Sequence, residues 1–221
     1  VKLTETMVQA LPEAEPGKLA AGAALQILEA AASRDVLALG PGLGTSENTG
    51  AVIRQVLGSV HVPVVIDADA LTALVGHTDL LATLPAAKIL TPHPGELARL
   101  LNLTGASVEK DRIKIAVSCA RAWQAVLVLK GVPTVVAWPD GTYYLNPTGN
   151  ASMATGGSGD VLTGIIAALV AQGMQPGLAA MAGVYLHGVA GDVAATEKVG
   201  LAAGEIVDAV PKARYLVAKS L

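Results

Sequence analysis

The segment Asn146-Pro-Thr-Gly-Asn-Ala-Ser-Met-Ala-Thr-Gly-Gly-Ser-Gly-Asp160 runs directly into an apolar stretch, Val161 to Val170. Glycines allow the backbone of this turn to direct its N–H groups toward one point, and the helix that begins near Ser158 adds the positive end of its dipole. Together these features predict an anion site, with phosphate as the expected ligand. The residues predicted to form this anion hole are Gly156, Gly157, Ser158 and Gly159.

Asp160 stands at the mouth of this turn. A carboxylate there would repel a bound phosphate, so its presence indicates a chemical role, and we expect it to take the proton from an attacking hydroxyl. The alternative is an ordinary helix with an Asp in its first turn. The additional glycines and the motifs described below favour the catalytic role.

The composition bounds the class of protein. A chain of 221 residues fits a single domain, predicted to span residues 1–221. Hydrophobic residues make up 52% and charged residues 15%, so several elements should be buried on both faces. A net charge of −3 argues against nucleic acid as a partner, and the interrupted apolar runs argue against a membrane. The single Cys119 cannot form an internal disulfide, which suits a cytoplasmic protein.

Apolar runs rich in β-formers alternate with helical patterns over residues 17–129, which predicts an α/β fold with a parallel sheet. The predicted strands are Asp35–Leu39, Pro63–Ile66, Lys88–Leu90 and Ala125–Leu129. The predicted helices are Gly17–Ala32, Ser46–Leu57, Ala70–Val75, Gly95–Leu101 and Val108–Trp123. A hairpin follows, predicted at Val132–Trp138 and Thr142–Leu145. The C-terminal part is predicted to be helical, at Val161–Gln172, Gly177–Thr196 and Ala203–Ser220.

Two loops after predicted strands carry weak signals. Gly40-Pro-Gly-Leu-Gly44 lacks the third glycine of the G-x-G-x-x-G dinucleotide fingerprint, so it is either a tight turn or a loop that a ligand approaches. Asp67-Ala-Asp69 is similarly open, because Asp69 is also placed to cap the next helix. Ligand sites in such folds gather where strands end, so both loops stay candidates for the site.

Thr91-Pro-His-Pro-Gly-Glu96 is more specific, because two prolines fix a loop that carries an imidazole and a carboxylate. One interpretation is structural: Glu96 caps a helix start, and His93 is a loop histidine with satisfied hydrogen bonds. The other is functional: His93 contacts a substrate, and Glu96 is a water-mediated partner of Mg²⁺ held by nucleotide phosphates.

Lys130-Gly-Val-Pro-Thr134 joins the last parallel strand to the hairpin. Gly131 permits close backbone approach, and Lys130 is either solvated or a point charge for a nucleotide phosphate. The later motif His187-Gly-Val-Ala-Gly-Asp192 lies in a helix of small residues. Close helix packing is its expected cause, and no chemistry is predicted there.

In this order along the chain, these motifs resemble those of the ADP/ATP-dependent NAD(P)H-hydrate dehydratase family, which belongs to the ribokinase-like superfamily. The resemblance covers nearly all 221 residues. It implies a three-layer α/β/α fold with a mostly parallel central sheet and a helical C-terminal part. Vitamin kinases of the superfamily typically have Asn-x-x-Glu where this chain has His-Pro-Gly-Glu96, which favours the dehydratase.

The resemblance implies separate contacts for two substrates. The hydrated dinucleotide, NADHX or NADPHX, is implied to contact Gly44, His93 and Asp160. ADP or ATP, with Mg²⁺, is implied to be held by Lys130, Gly131, Val132, Pro133, Thr134 and Gly159. Asp160 is then the base that lets the hydrate hydroxyl attack the terminal phosphoryl group, after which phosphate leaves and NADH or NADPH is restored.

The resemblance also bears on partners. Family members open with a basic strand that contains glycine, followed by a helix, whereas this chain opens on a helical pattern. We therefore expect the domain to lack its first strand and helix, and expect an upstream segment or a fused NAD(P)H-hydrate epimerase domain. The 221 residues alone should then behave as an incomplete domain with an unpaired sheet edge. A homo-oligomer is also expected.

Two other functions stay open. A small-molecule kinase acting on a vitamin precursor would use the same Asp160 and anion hole but would release a stable phosphate ester. A nucleotide-binding regulatory domain that has lost catalysis would release no phosphate, although the intact Asp160 argues against it.

Overall fold

The computed structural model of the protein describes residues 6–196, 198 and 200–219. A two-stranded antiparallel hairpin, β1 (Glu13–Glu15) and β2 (Lys18–Leu19), precedes the first helix. The main sheet has six strands, which lie side by side in chain order. They are β3 (Leu37–Leu39), β4 (Val64–Ile66), β5 (Lys88–Leu90), β6 (Val126–Leu129), β7 (Val135–Ala137) and β8 (Tyr143–Leu145).

The helices connect these strands and then continue alone to the C-terminal part. Seven of them precede β6: α1 (Ala23–Ala31), α2 (Glu47–Ser59), α3 (Asp69–Thr72), α4 (Leu80–Thr83), α5 (Pro94–Leu101), α6 (Gly105–Lys110) and α7 (Arg112–Trp123). A 3₁₀ turn at Ala151–Met153 follows the sheet. The last three helices are α8 (Ser158–Ala171), α9 (Pro176–Ala194) and α10 (Ala203–Lys219).

The register of the main sheet brings the loops after its parallel strands to one edge. Strands β3 to β6 are parallel, and β7 and β8 are antiparallel to their neighbours. Leu39 pairs with Ile66, and Ile66 pairs with Leu90, so β3, β4 and β5 end together. The loops that follow these strands therefore emerge at one edge of the sheet, where α/β folds place their ligands.

The main sheet is buried on both faces. Along β4, Val64 and Ile66 belong to one apolar cluster and Val65 to another, as the alternation of side chains in a strand requires. The first cluster packs the sheet against α1, α2, α5 and α7, and the second packs it against α8 and α9. A third cluster lies between α9 and α10. The protein is thus a three-layer α/β/α structure.

The predicted parallel sheet and the hairpin that follows it are confirmed, and β5 has the predicted bounds. The prediction of a helix over Gly17–Ala32 is wrong in its first part. Strand β2 pairs with β1, Gly17 turns between them at φ +74°, and α1 begins only at Ala23. A glycine turn and strand pairing therefore override the helical pattern of this segment.

The predicted helix Val108–Trp123 is divided in two. The chain leaves helical geometry at Asp111, with φ −124° and ψ 36°, so α6 ends before this residue and α7 begins after it. Apolar residues continue across the break, so periodicity alone does not reveal it. The break matters because it places Arg112 at the start of a helix.

The helical C-terminal part is confirmed, and α8 begins at Ser158, where the glycine-rich turn predicts its start. The predicted end of the last helix, Ser220, lies outside the described residues. Over the described ranges, no helix combines the length and the apolar character needed to cross a bilayer.

Candidate functional site

A buried ion pair joins two loops at the edge of the sheet. Asp67, which follows β4, is fully buried, and its Oδ1 accepts a hydrogen bond from the Lys130 ammonium at 2.8 Å. Its Oδ2 accepts one from the Thr163 hydroxyl of α8, also at 2.8 Å. The Glu96 carboxylate lies 3.7 Å from the same ammonium. Lys130 thus has two negative partners, which offset the cost of removing its charge from water.

A capping box ends the Thr91–Glu96 loop at the start of α5. His93 Nδ1 accepts hydrogen bonds from the backbone N–H groups of Gly95 and Glu96, at 3.0 and 3.3 Å. In return, Glu96 Oε2 accepts one from the backbone N–H of His93 at 2.7 Å. The structural interpretation of this pair is confirmed, because both side chains cap the helix.

The capping role leaves one nitrogen of His93 for other contacts. Because Nδ1 accepts hydrogen bonds, the proton of the neutral imidazole is assigned to Nε2. Glu96 Oε1 lies 3.6 Å from this nitrogen, which is too far for a hydrogen bond. The His93 side chain is 51% exposed. The Nε2–H group is therefore a donor that a ligand outside the loop can reach.

The Gly40–Gly44 loop packs against the loop after β4. Gly40 has φ +135°, and a Cβ there would overlap the Asp67 carbonyl, so only glycine permits this approach. At the other end of the loop, the Gly44 N–H donates to Asp69 Oδ2 at 2.8 Å. Asp69 therefore fixes the glycine loop and is not the side-chain cap of α3. Because loops converge here, the ligand-approach interpretation is favoured over a simple turn.

The Lys130–Thr134 loop is tied to its neighbours and to itself. The Lys130 N–H donates to the Pro92 carbonyl at 2.9 Å, which joins this loop to the Thr91–Glu96 loop. The Thr134 hydroxyl donates to the Gly131 carbonyl at 3.0 Å and closes the turn. The exposed residues of the loop are Gly131, Val132 and Pro133.

The glycine-rich turn forms the N-terminus of α8. Gly157 is its N-cap, with φ +85°, a left-handed conformation that favours glycine; Gly156 before it is exposed, and Ser158 after it is buried. The Ser158 N–H donates to the Thr155 carbonyl at 3.3 Å, whereas the N–H groups of Gly159 and Asp160 have no acceptor among the described residues and are the donors at the positive end of α8. A Cβ at Gly159 would lie 3.2 Å from Lys130 Nζ. The predicted anion hole and the Lys130 ammonium are thus neighbours.

Asp160 has the opposite surroundings to Asp67. It lies in the first turn of α8 and is exposed. Among the residues described, none forms a hydrogen bond or an ion pair with its carboxylate. A carboxylate without a partner among the described residues, next to a glycine turn that is predicted to bind anions, is suited to accept a proton from a bound hydroxyl.

A neutral histidine supports the turn from α9. His187 Nε2 lies 3.3 Å from the Ser158 hydroxyl. Burial is the main cause that lowers the pKa of His187, to about 4, and the Lys130 charge lowers it further. The imidazole is therefore uncharged at neutral pH, and it contacts Ser158 without adding a positive charge to the predicted anion hole.

The rest of the His187–Asp192 motif packs against the loop before α8. A Cβ at Gly188 would overlap Thr148, so this glycine allows the close approach. The Asp192 carboxylate accepts hydrogen bonds from the Gly149 N–H at 3.0 Å and from the Asn150 side-chain amide at 2.8 Å. Close packing of this helix is therefore observed, and its partner at these residues is the loop before α8.

The acidic residues of the site differ in their capacity to contact a metal ion. Within the described residues, no group of three or more His, Cys, Asp or Glu is arranged to hold one. Both oxygens of Asp67 accept hydrogen bonds, as does Glu96 Oε2, whereas Glu96 Oε1 has its lone pairs available. Mg²⁺ bound to nucleotide phosphates keeps several waters, so this donor set fits a water-mediated contact from Glu96.

Sequence patterns do not identify every residue of this site. Thr163 is a polar residue within the apolar run of α8, and that exception is the signal for its contact with Asp67. The small residues around His187 predict helix packing and give no sign of a role for the histidine. Its contact with Ser158 joins positions far apart in the chain, which a sequence pattern alone does not reveal.

Comparisons with known proteins identify the family of this chain. The model of the NAD(P)H-hydrate dehydratase family matches residues 1–212. The bifunctional NAD(P)H-hydrate repair enzyme Nnr of Moorella thermoacetica is 52% identical over 96% of this chain and 40% of its own length. The ADP-dependent (S)-NAD(P)H-hydrate dehydratase of Neisseria meningitidis is 44% identical over 83% of this chain and 64% of its own. The chain thus spans less than two thirds of the length of these curated relatives.

Solved structures show the same fold. The ADP/ATP-dependent NAD(P)H-hydrate dehydratase of Bacillus subtilis, co-crystallised with ATP and Mg²⁺, superposes with a TM-score of 0.72 at 35% identity, over 85% of this chain and 68% of that one. A ribokinase-like superfamily protein of Enterococcus faecalis gives a TM-score of 0.71 at 29% identity, over 85% of this chain and 65% of that one. The fold is therefore ribokinase-like, and the chain belongs to the NAD(P)H-hydrate dehydratase family.

Proposed function

We propose that this chain catalyses the ADP- or ATP-dependent dehydration of (6S)-NADHX and NADPHX to NADH and NADPH, and so repairs damaged nicotinamide nucleotides. Family membership and the names of its relatives support this activity. The observation that carries the proposal is the placement of Asp160, an exposed carboxylate without a partner among the described residues, at a glycine-rich helix N-terminus beside Lys130.

Asp160 acts as the base in the first step. It takes the proton from the hydroxyl of the hydrated ring while the hydroxyl oxygen forms a bond to the terminal phosphorus of the nucleotide. The bond between that phosphorus and its bridging oxygen breaks, and the shortened nucleotide leaves with the electron pair. The carboxylate is suited to this step because it is exposed and its oxygens are not committed to described residues.

The glycine turn stabilises the charge on the transferred group. The N–H groups at the start of α8 and the dipole of the helix favour the negative charge of the equatorial oxygens. Lys130 lies against Gly159, so its ammonium adds a positive charge next to this turn. We assign Lys130 and Gly159, with Gly131, Val132, Pro133 and Thr134, to the nucleotide.

The second step releases phosphate. Phosphate is a better leaving group than hydroxide, so the carbon–oxygen bond breaks as the ring nitrogen donates its electrons, and loss of a neighbouring proton restores the reduced ring. Gly44 and the Nε2–H donor of His93 are assigned to the hydrated dinucleotide, since their loops leave different strands from the Lys130 loop. Mg²⁺, when bound with the nucleotide, neutralises phosphate charge, and Glu96 would hold it through water.

The expected partners extend this proposal. Nnr of Moorella thermoacetica is named a bifunctional repair enzyme, and we propose that an NAD(P)H-hydrate epimerase domain accompanies this chain in the same way. A homo-oligomer and a cytoplasmic location stay predictions. So does the prediction that residues 1–221 form one domain that lacks a first strand and helix.

A product assay tests the proposed activity. The purified protein, together with the upstream segment that is expected to complete its domain, is supplied with NADHX and with ADP or ATP. The absorbance of the reduced ring, free phosphate and nucleotide products are followed together. We expect one NADH and one phosphate for each nucleotide consumed. A stable phosphate ester of a vitamin precursor would support the kinase instead. Nucleotide binding without any phosphate release would support a regulatory domain.

A further inference from the structure

The guanidinium of Arg112 spans the two ends of the Lys130–Thr134 loop. Its Nη2 donates to the carbonyl oxygens of Leu129 at 3.3 Å, Lys130 at 3.2 Å and Pro133 at 2.9 Å. Its Nη1 donates to Glu109 Oε2 at 2.7 Å. The side chain is only 11% exposed. One charged side chain from α7 therefore gathers three backbone acceptors of a loop that we assign to the nucleotide.

These bonds fix the direction of the loop's own donors. In a trans peptide the C=O and the N–H point in opposite directions. Since the carbonyls of Leu129, Lys130 and Pro133 face Arg112, the N–H groups that share their peptide planes face away from α7. Those N–H groups belong to Lys130, Gly131 and Thr134. The Lys130 N–H donates to the Pro92 carbonyl at 2.9 Å and the Gly131 N–H to the Thr134 hydroxyl at 3.4 Å, so the loop is held on the side away from α7 as well.

The loop is shaped to receive the arginine. Gly131 has φ +143°, and a Cβ there would lie 2.6 Å from Arg112 Nη2. A side chain at position 131 would therefore push the guanidinium out of its place. The glycine of this motif serves the close approach of Arg112 on the side of α7, in addition to the backbone approach that the sequence predicts on the ligand side.

We infer that Arg112 is a positioning residue for the nucleotide: by holding three carbonyls on one side of the Lys130–Thr134 loop, it fixes the course of the loop and so the position of its exposed residues, Gly131, Val132 and Pro133, which we assign to the nucleotide. This inference rests on the proposed nucleotide site. Both terminal nitrogens of Arg112 donate to protein acceptors and its side chain is only 11% exposed, so its effect on binding is transmitted through the loop.

Arg121 provides a matched control within the same helix. It also lies under a glycine with positive φ, because a Cβ at Gly141 would overlap its guanidinium. It donates to one backbone carbonyl, that of Asp140, at 3.2 Å. Both arginines line the same open cleft between α7 and the hairpin. Arg121, however, supports the turn between β7 and β8, which is not assigned to either substrate.

The test compares Arg112→Met and Arg112→Lys with Arg121→Met in the dehydratase assay. For Arg112→Met we expect the KM for ADP to rise about tenfold, because several charged hydrogen bonds to the loop are lost, while the KM for NADHX changes by less than about twofold. Arg112→Lys keeps the charge but not the fork, so it should recover about half of that effect on a logarithmic scale. Arg121→Met should leave both KM values within about twofold.

Glu109→Gln keeps the test informative if Arg112→Met does not fold. It loosens the guanidinium without touching the loop, so the ADP KM should rise by about twofold to fivefold with an unchanged melting temperature. Equal rises in both KM values, or an ADP KM that moves no more in the Arg112 variants than in Arg121→Met, would overturn the inference. If the unsubstituted protein, with the expected upstream segment supplied, neither binds ADP nor turns over NADHX, the proposed function fails, and this role of Arg112 fails with it.

Discussion

Asp67 and Asp160 both lie where the strands of the main sheet end, yet their surroundings are opposite. Asp67 is buried, and each of its oxygens accepts a hydrogen bond at 2.8 Å, from Lys130 and from Thr163. Asp160 is exposed, with no partner among the described residues. The difference fits the proposed roles of the two residues: Asp67 holds the loops and Lys130 in place, and Asp160 keeps its oxygens available to take a proton.

Asp160→Asn should give the largest loss of activity. A small loss would contradict the difference in role between Asp160 and Asp67. The substitution removes the base but keeps the shape of the side chain, so kcat should fall about 10²-fold or more. ADP affinity should stay or improve, because a negative charge near the phosphates is lost. NADHX turnover and ADP titration calorimetry separate the two quantities. A variant that keeps more than roughly a tenth of the activity would remove Asp160 from the base role.

Asp67→Asn should mainly lower the free energy of unfolding, whereas Asp160→Asn should mainly lower kcat. Breaking a buried ion pair lowers the free energy of unfolding by about 3–5 kcal/mol. The Lys130 side chain is 20% exposed and Glu96 lies 3.7 Å from its ammonium, so we expect the free energy of unfolding to fall by about 2–3 kcal/mol. Urea denaturation measures this loss. An unchanged free energy of unfolding would show that the pair does not hold the loops.

Thr163→Val is the matched control for Asp67→Asn. It removes one hydrogen bond to Asp67 and leaves the ion pair with Lys130 in place, so the loss should be about 1 kcal/mol. A loss as large as that of Asp67→Asn would mean that the hydroxyl, and not the charge, is what stabilises this carboxylate.

The division between the two carboxylates was only partly predictable from the sequence. The strand and helix pattern predicted the α/β class, and the glycine-rich turn predicted the place of Asp160 at a helix start, because these signals are local. The partners of Asp67 come from α8 and from the loop after β6, 96 and 63 residues away. Such pairings depend on how the strands align in the sheet, which no local pattern specifies. The same holds for Arg112, whose role depends on the helix break at Asp111.

His187 sharpens the comparison, because it supports the Asp160 side without a charge. Its pKa of about 4 in the folded protein lies below the ordinary value of 6.5, so the unfolded chain takes up a proton first as the pH falls. The stability that this residue contributes is complete above about pH 6.5 and is lost progressively toward pH 4. We expect this group to lower the free energy of unfolding by about 2 kcal/mol between pH 7 and pH 5.

His187→Gln isolates that contribution. Glutamine does not titrate, and its amide is able to replace the contact with Ser158, so the variant should lose less stability than the unsubstituted chain over the same pH range. The free energy of unfolding in urea is measured for both proteins at the two pH values. Identical pH dependence in the two proteins would mean that His187 is protonated in the folded state or that other groups dominate.

His93→Ala should give the smallest effects on stability and on activity, because each nitrogen of the imidazole contributes only neutral hydrogen bonds. The side chain combines a structural role, like that of Asp67, with an exposed group, like that of Asp160. Its Nδ1 caps α5, as Asp67 holds its loops, whereas its Nε2–H is exposed, as Asp160 is. His93→Ala should therefore lower the free energy of unfolding by about 1 kcal/mol, the usual cost of a lost helix cap. It should also raise the KM for NADHX by about fivefold, the loss expected for one neutral hydrogen bond, with little change in the KM for ADP.

His93→Asn separates the two roles of this side chain. Asparagine is among the best N-cap residues, so the stability lost in His93→Ala should return. The shorter side chain does not carry a donor to the position of Nε2, so the KM for NADHX should stay high. If asparagine restores both quantities, the effect of His93 on the substrate passes through the helix cap, and the exposed imidazole is not a substrate contact. A rise in the KM for ADP alone would instead reverse the assignment of the two pockets.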